Sequence, residues 1–329
     1  MFRIFGPPGT GKTTTLLNML DKALDSGVAP NSIAFLAFTR KAASEAKERA
    51  SARFHLDPDK DLFYFRTLHS LALSASGIRT EQVMGKEHYK ELSDIISIPL
   101  ISDTSLNDDI VDKQASDHPI LSLINLARLC KKPLRKQYNQ THMIYDWNTV
   151  NYISKCYKEY KARHELYDFT DMLQCFIEGA DVACPKFDLV FLDEAQDLSP
   201  LQWDIAHMLD KNSKKMYAAG DDDQAIYRWA GADVEHFITL DGSSETLSQS
   251  YRVPRRVHTL AERIVSRIKN RYPKRYEPRE ALGNVQHISR LEDLDLSEGQ
   301  WLILAQAGYI LYPVVEMLMS YGYLFTNKG

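Results

Sequence analysis

The sequence predicts an α/β fold, a parallel sheet wrapped by helices with a phosphate-binding loop at its edge, and three stretches carry that prediction. MFRIF leads straight into GPPGTGKT at Gly6, FDLVFL leads into the acids of DEAQD, and KKMYAAG leads into GDDDQ. Each is a short apolar strand followed at once by a polar turn. In an open parallel sheet, that order puts ligand-binding side chains at the carboxyl edge.

The elements follow in order. Strand 2–5 opens the chain and feeds a loop with Gly6, Gly11, Lys12 and Thr13 at the G-x-x-x-x-G-K-T spacing, before a helix expected from about Lys12 to Leu24. Glycines let backbone N–H groups turn inward around phosphate oxygens, so Gly6, Pro7, Pro8, Gly9, Thr10, Gly11, Lys12, Thr13 and Thr14 form the candidate ATP cradle. Lys12 reaches the β and γ phosphates, and the Thr13 hydroxyl is a ligand for Mg2+. Further strands are expected near 33–38, 62–66, 188–193 and 215–219. The acids after the fourth strand complete the site: Asp193 as the second metal ligand, Glu194 as the group that orients or deprotonates the attacking water. Between about 74 and 165 no comparable strand run occurs, and PILSLINLARLCKK and VNYISKCYKEYKARHEL read as helices. Beyond 249 a second α/β unit is expected: a helix at RRVHTLAERIVSRIKN, strands at GNVQHIS and QWLILAQ, and a helix at YPVVEMLMSYG.

Composition sets outer limits. With 329 residues, 44% hydrophobic and 26% charged, the chain can bury a large core and divide into two or three domains. No apolar run reaches membrane-spanning length and the start MFRIFGPP has no signal-peptide pattern, so a cytoplasmic protein is expected. Cys130, Cys156, Cys175 and Cys184 lack any CxxC or metal-ligand spacing, which argues for reduced thiols and against a zinc or iron–sulfur site. The net charge of −4 decides nothing about nucleic acid, because placement matters more than the sum. Between Ser250 and Glu280 lie ten Arg or Lys against three Glu, whereas Ile101 to His118 carries five Asp against one Lys. On charge alone the basic run reads as a solvated helix face.

DEAQD, then GDDDQAIYRWAGAD, then LSQSYRVP, in that order and spacing, closely resemble the UvrD/Rep/PcrA group of superfamily 1A DNA helicases. LAFTRKAASEAKER, TLHSLA and YDFTDML match as well, so the resemblance covers nearly the whole chain. It implies a P-loop NTPase with a RecA-like motor domain 1A from 1–73 and 166–248, a helical insertion like subdomain 1B at 74–165, and an incomplete second RecA-like domain 2A at 249–329. It implies MgATP hydrolysis that drives movement 3′ to 5′ on single-stranded DNA, with action at single/double-strand junctions, as a monomer away from membranes. Gln224 then sits near the γ-phosphate, and Tyr227 and Trp229 stack on unpaired bases, a contact that reads the π-face and not base edges. Phe38, Thr39, Arg40 and Lys41 follow the second strand and grip backbone and base, with Arg40 also at the nucleotide. His69 matches a DNA-contacting position. Tyr251 and Arg252 resemble the adenine-stacking tyrosine and the first arginine finger, a group that stabilises charge spreading over the transferred phosphoryl.

The sequence departs from the family pattern in places. Ala230 stands where relatives often have Arg, and so does Gln306. The second unit ends before two further family motifs, one of them with a second arginine finger, and no residue upstream of the loop can play the family's adenine-reading glutamine. The expectation is weak binding of MgATP and single-stranded DNA, little DNA-stimulated ATPase and no unwinding by the 329 residues alone. A non-unwinding, ATP-regulated DNA-binding module is the alternative, and an RNA motor a third reading.

Overall fold

The computed structural model describes residues 1–100, 118–179 and 184–326. The acidic stretch of 101–117, within the expected helical insertion, lies outside the described residues. The chain opens with β1 (Phe2–Phe5), α1 (Lys12–Asp25), β2 (Ile33–Ala37), α2 (Arg40–Phe54), β3 (Phe65–Thr67) and α3 (Leu68–Ala75). A helical stretch follows, with α4 (Lys86–Ile96), α5 (Pro119–Leu129), α6 (Leu134–Gln140) and α7 (Trp147–His164). The chain then returns through α8 (Phe169–Glu178), β4 (Phe187–Leu192), α9 (Pro200–Lys211), β5 (Ser213–Gly220), α10 (Val234–Thr239) and β6 (Ser244–Thr246). It continues with β7 (Gln249–Pro254), α11 (Arg255–Val265), β8 (Glu277–Arg279) and α12 (Tyr312–Ser320).

Six strands form one sheet in the order β3-β2-β4-β5-β1-β6, and each neighbouring pair is parallel. Side chains alternate across it. Ile33, Phe35, Leu189, Phe191 and Ala219 face Leu16, Leu17 and Leu20 of α1 and Ala46 and Ala50 of α2. Ala34, Leu36, Val190, Leu192 and Ala218 face Leu71 of α3, Leu173 and Phe176 of α8, Trp203 of α9 and Phe237 of α10. Both faces are covered, as an all-parallel sheet requires, and the strands accordingly read as near-continuous apolar runs.

The helices α4, α5 and α7 hold a core of their own around Tyr89, Leu92, Ile124, Val150, Ile153 and Tyr157. It is tied to the sheet body by Asp168, which caps α8 and lies between Arg128 Nη1 of α5 at 2.6 Å and Lys161 Nζ of α7 at 2.5 Å. Burial alone would raise the Asp168 carboxyl, but these two cations outweigh it and hold the group well below the usual carboxylate range.

Two sequence expectations are corrected. GNVQHIS and QWLILAQ form no strand, and Trp301, Leu302 and Leu304 stand 56%, 81% and 79% exposed. Their pattern is that of a strand, but neither pairs with a neighbouring strand among the described residues; a strand is a pairing, not a property of one segment. The only regular pairing after residue 248 among the described residues is the short parallel ladder of β7 and β8. Conversely, β6 was not foreseen. It is three residues without an apolar run, ordered by pairing alongside β1.

Candidate functional site

The carboxyl ends of β1, β2, β4 and β5 open on one edge, and the site residues lie there. After β1 the loop turns at Gly9 and Gly11, with φ of 73° and 81°, a region that disfavours any residue with a Cβ. Gly11 caps α1, and at Gly9 a Cβ would come within 2.4 Å of the Arg252 Cβ. The Thr10 hydroxyl donates to Pro7 O at 2.7 Å and tightens the turn. Lys12 Nζ donates to Gly6 O at 3.3 Å and lies 3.6 Å from Glu194 Oε2. Thr13 Oγ1 donates to Asp193 Oδ2 at 2.7 Å, so the two expected metal ligands meet across 180 positions of sequence.

The acids follow β4. Asp193 is almost fully buried, its N–H anchored on Leu36 O at 2.8 Å. Burial, and then the neighbouring Glu194 carboxylate, raise its pKa above the usual value. Glu194 adopts a left-handed backbone, φ 52°, a conformation that costs a non-glycine residue about 1–3 kcal/mol. That turn brings its carboxylate to Lys12. Gln196, not singled out from sequence, donates to Glu194 Oε2 at 3.0 Å and to Asp197 Oδ2 at 2.9 Å, and its Oε1 accepts from the Asp221 N–H at 3.0 Å. Asp197 is pushed up to about 7 by burial and by Glu194.

Strand β7 crosses the phosphate loop. Ser250 Oγ donates to Pro8 O at 2.7 Å and Tyr251 N–H to Gly9 O at 2.9 Å. This places Tyr251 and Arg252 beside the loop, where they line an open cleft of about 570 Å3 with Gly9, Gly11, Thr14 and Arg279. Arg279 is the second residue missed from sequence: within a basic run it had no distinguishing mark. The pairing of Pro254 with Arg279 in the β7–β8 ladder brings it there.

After β5, Gln224 donates through Nε2 to the Asp221 carboxylate. Tyr227 and Phe38 stack on each other with ring centroids 5.5 Å apart and planes at 27°. Trp229 is 55% exposed nearby in sequence, with Arg228 held by Glu235 at 2.9 Å. Two expected nucleic-acid residues thus come into one stack and a third stands open. Thr39 caps α2 by accepting the Ala42 N–H at 3.3 Å, and Arg40 is the exposed first residue of that helix, outside the residues lining the cleft. His69, expected at a DNA-contacting position, is 6% exposed, with its ring 6.3 Å from Phe169. It sits inside the first turn of α3, where the apolar helix face carries it inward.

The four cysteines are free thiols, and no cluster of three or more His, Cys, Asp or Glu among the described residues could hold a metal ion. No helix among them is long and apolar enough to cross a membrane. The donor set at Thr13 and Asp193 fits Mg2+, which takes few protein oxygens and keeps its waters, with phosphates supplying the rest.

A glycine-turned loop at a helix start, a Thr–Asp pair, and a Lys–Glu pair at the edge of a parallel sheet define a nucleotide-binding protein of the P-loop class. The family model described as the UvrD/REP helicase N-terminal domain matches residues 2–244, well over half of the chain, and the chain belongs to that family. Its relatives include the ATP-dependent DNA helicase PcrA of Staphylococcus aureus, 25% identical over 285 residues, which cover 82% of this chain and 38% of the relative. The PcrA of Staphylococcus epidermidis is 25% identical over 288 residues, with the same shares. The chain spans 38% of the length of these relatives.

Proposed function

We propose that this chain is the ATP-hydrolysing portion of a DNA helicase or translocase that moves on single-stranded DNA, in the 3′ to 5′ direction. One observation carries the reading: the sheet edge that joins Thr13 to Asp193 and Lys12 to Glu194 also holds the Phe38–Tyr227 stack, one loop away from Gln224. Fuel site and base-stacking rings then share the β5 turn.

In this reading Lys12 and the loop N–H groups bind the β and γ phosphates, and Thr13 and Asp193 hold Mg2+. The bound metal neutralises charge on the phosphate oxygens. Glu194 orients a water and takes its proton as the water oxygen attacks phosphorus and the bond to ADP breaks. Arg252 faces the charge that spreads over the transferred group. Tyr227 and Trp229 hold unpaired bases with little sequence preference, at about 1–3 kcal/mol per stacked base. Residues 1–73 with 166–248 are read as one motor domain, 74–165 as a helical insertion, and 249–329 as part of a second motor domain.

The test separates binding from turnover. Lys12→Ala is expected to weaken binding of a fluorescent ATP analogue at least tenfold. In a version of the chain that has DNA-stimulated ATPase, Glu194→Gln is expected to leave binding within about twofold while that ATPase falls by about 10²–10⁴. Equal ATPase in Glu194→Gln and the parent overturns the assignment of the base. Tight binding without turnover in the parent chain supports the ATP-regulated DNA-binding module instead.

A further inference from the structure

Outside the phosphate loop, a densely built polar cluster surrounds the turn after β5. Asp221, Asp222 and Asp223 carry three consecutive carboxylates, with side chains 0%, 1% and 9% exposed. One ammonium serves all three: Lys274 Nζ lies 2.9 Å from Asp221 Oδ1, 2.5 Å from Asp222 Oδ1 and 2.8 Å from Asp223 Oδ2. Burial alone would lower the lysine, but the carboxylates prevail and hold it above its ordinary value.

The segment carrying Lys274 is fixed independently. Arg271 forks onto Asp223 with Nε at 2.9 Å and Nη2 at 2.6 Å. The Tyr272 N–H donates to Asp222 Oδ2 at 2.8 Å, and its ring lies on Phe5 with centroids 3.8 Å apart and planes at 4°. The segment just before Lys274 is therefore anchored on the same acidic turn that the lysine head serves.

Asp221 is where these contacts meet the fuel site. Its Oδ1 faces Lys274, its Oδ2 accepts from Gln224 Nε2, and its N–H donates to Gln196, which in turn donates to Glu194 Oε2. A carboxylate paired with an ammonium accepts hydrogen bonds, and the end of the Gln224 amide that faces it is its NH2. The carbonyl, Gln224 Oε1, is then the end turned away from Asp221, an acceptor suited to a water proton and unsuited to a phosphate oxygen.

We propose that Lys274 is a positioning residue that fixes the Asp221 carboxylate and thereby presents the Gln224 carbonyl toward the attacking water. The proposal rests on the reading of this site as an ATPase. A purely structural role would make the loss of either cation lower ADP affinity and the gain with aluminium fluoride together, in proportion to the contacts removed. A positioning role separates the two cations, because only Lys274 touches Asp221.

The test uses the trapped complex of a fluorescent ADP with Mg2+ and aluminium fluoride, which imitates the transferring phosphoryl with its in-line water and needs no turnover. Lys274→Met, Asp221→Asn and Arg271→Gln are compared with the parent for affinity to the ADP alone and for the gain when aluminium fluoride is added. In Lys274→Met the gain is expected to fall about 10- to 100-fold, the scale of a hydrogen bond to a charged group, with ADP affinity within about threefold. Asp221→Asn, whose isosteric amide relieves the buried charge, is expected to lose the gain likewise and carries the test if Lys274→Met does not fold. Arg271→Gln is expected to keep it. Full gain in a folded Asp221→Asn or Lys274→Met, or equal losses in Arg271→Gln, overturns the proposal alone. A parent chain that binds ADP but shows no gain overturns the ATPase reading, and the proposal with it.

Discussion

Residues 2–246 and residues 249–326 meet at one cleft but are organised by different forces. The first region closes both faces of its sheet with apolar side chains, and at the sheet edge it buries acids: Asp193, Asp197, Asp221 and Asp222. The second has only a small cluster around Leu296, Val314, Met317 and Leu318, and no residue of α11 is buried. What it brings to the meeting is cations, with Arg271 and Lys274 on the β5 turn and Arg252 and Arg279 at the cleft. The first region is shaped by burial and the second by what its charges reach. The basic run of 252–279 is thus in part a set of counter-charges for the first region's acids.

The largest effect expected from this difference is in stability. Phe191 is fully buried between the strands and α1, and Phe191→Ala should lower the free energy of urea unfolding by about 3–5 kcal/mol. Leu304, 79% exposed, should tolerate Ala within about 0.5 kcal/mol. A comparable loss at both positions would mean that the second region is as well packed as the first, and the contrast would fail.

The same difference decides what could be read in the sequence. β1 with its loop, β4 with Asp193 and Glu194, and β5 with Gln224 were legible because each packs an apolar run and a polar turn into about ten neighbouring residues. The strand pattern of QWLILAQ was equally visible, yet pattern supplies only one partner of a ladder. Lys274 and Arg279 looked like any cation in a charged stretch, because their meaning lies in residues far away: Asp222 is 52 positions back. Gln196 sat inside DEAQD without a role, since Asp221, the partner that joins it to the next turn, reaches it only when β4 and β5 lie side by side. His69 had no local signal that it would turn inward.

A smaller effect sharpens the electrostatic half of the contrast. Asp221 and Asp222 receive a cation from the second region, whereas the Asp197 carboxylate accepts from the neutral Gln196 amide and stands pushed up to about 7 by burial and Glu194. Its folded pKa lies above the ordinary 3.8, so the folded chain holds this proton more tightly than the unfolded one. The resulting stabilisation is fully present below about pH 4 and is lost as pH rises through about 7. In Mg2+-free buffer, Asp197→Asn should flatten the stability profile between pH 5 and 8 and gain about 2 kcal/mol at pH 8. Parallel profiles for the variant and the parent would show that Asp197 ionises there without cost.

The smallest expected effect lies at the cleft itself, where the second region's contribution is easiest to mistake for scenery. Arg279 ends β8, and the β7–β8 ladder sets it opposite Pro254, two residues past Arg252, so both arginines line the opening above Gly9 and Gly11. Arg279 is exposed, and an exposed cation acts on phosphate through water that screens it. Its contribution to nucleotide affinity should therefore be about 1 kcal/mol, several-fold in Kd. The distinction from Arg252 is in which nucleotide feels it. Arg252 is read as facing the terminal phosphoryl, so Arg252→Ala should weaken ATP more than ADP. Arg279→Ala should weaken ATP and ADP alike, and the loss should shrink when salt is raised from 0.05 to 0.5 M, values chosen to shorten the screening length below about 10 Å. Titration of fluorescent ATP and ADP analogues at both salt concentrations reads all four quantities. If Arg279→Ala changed neither affinity while Arg252→Ala changed ATP, β8 would serve only to hold β7 over the phosphate loop. The second region would then reach the nucleotide through a single strand.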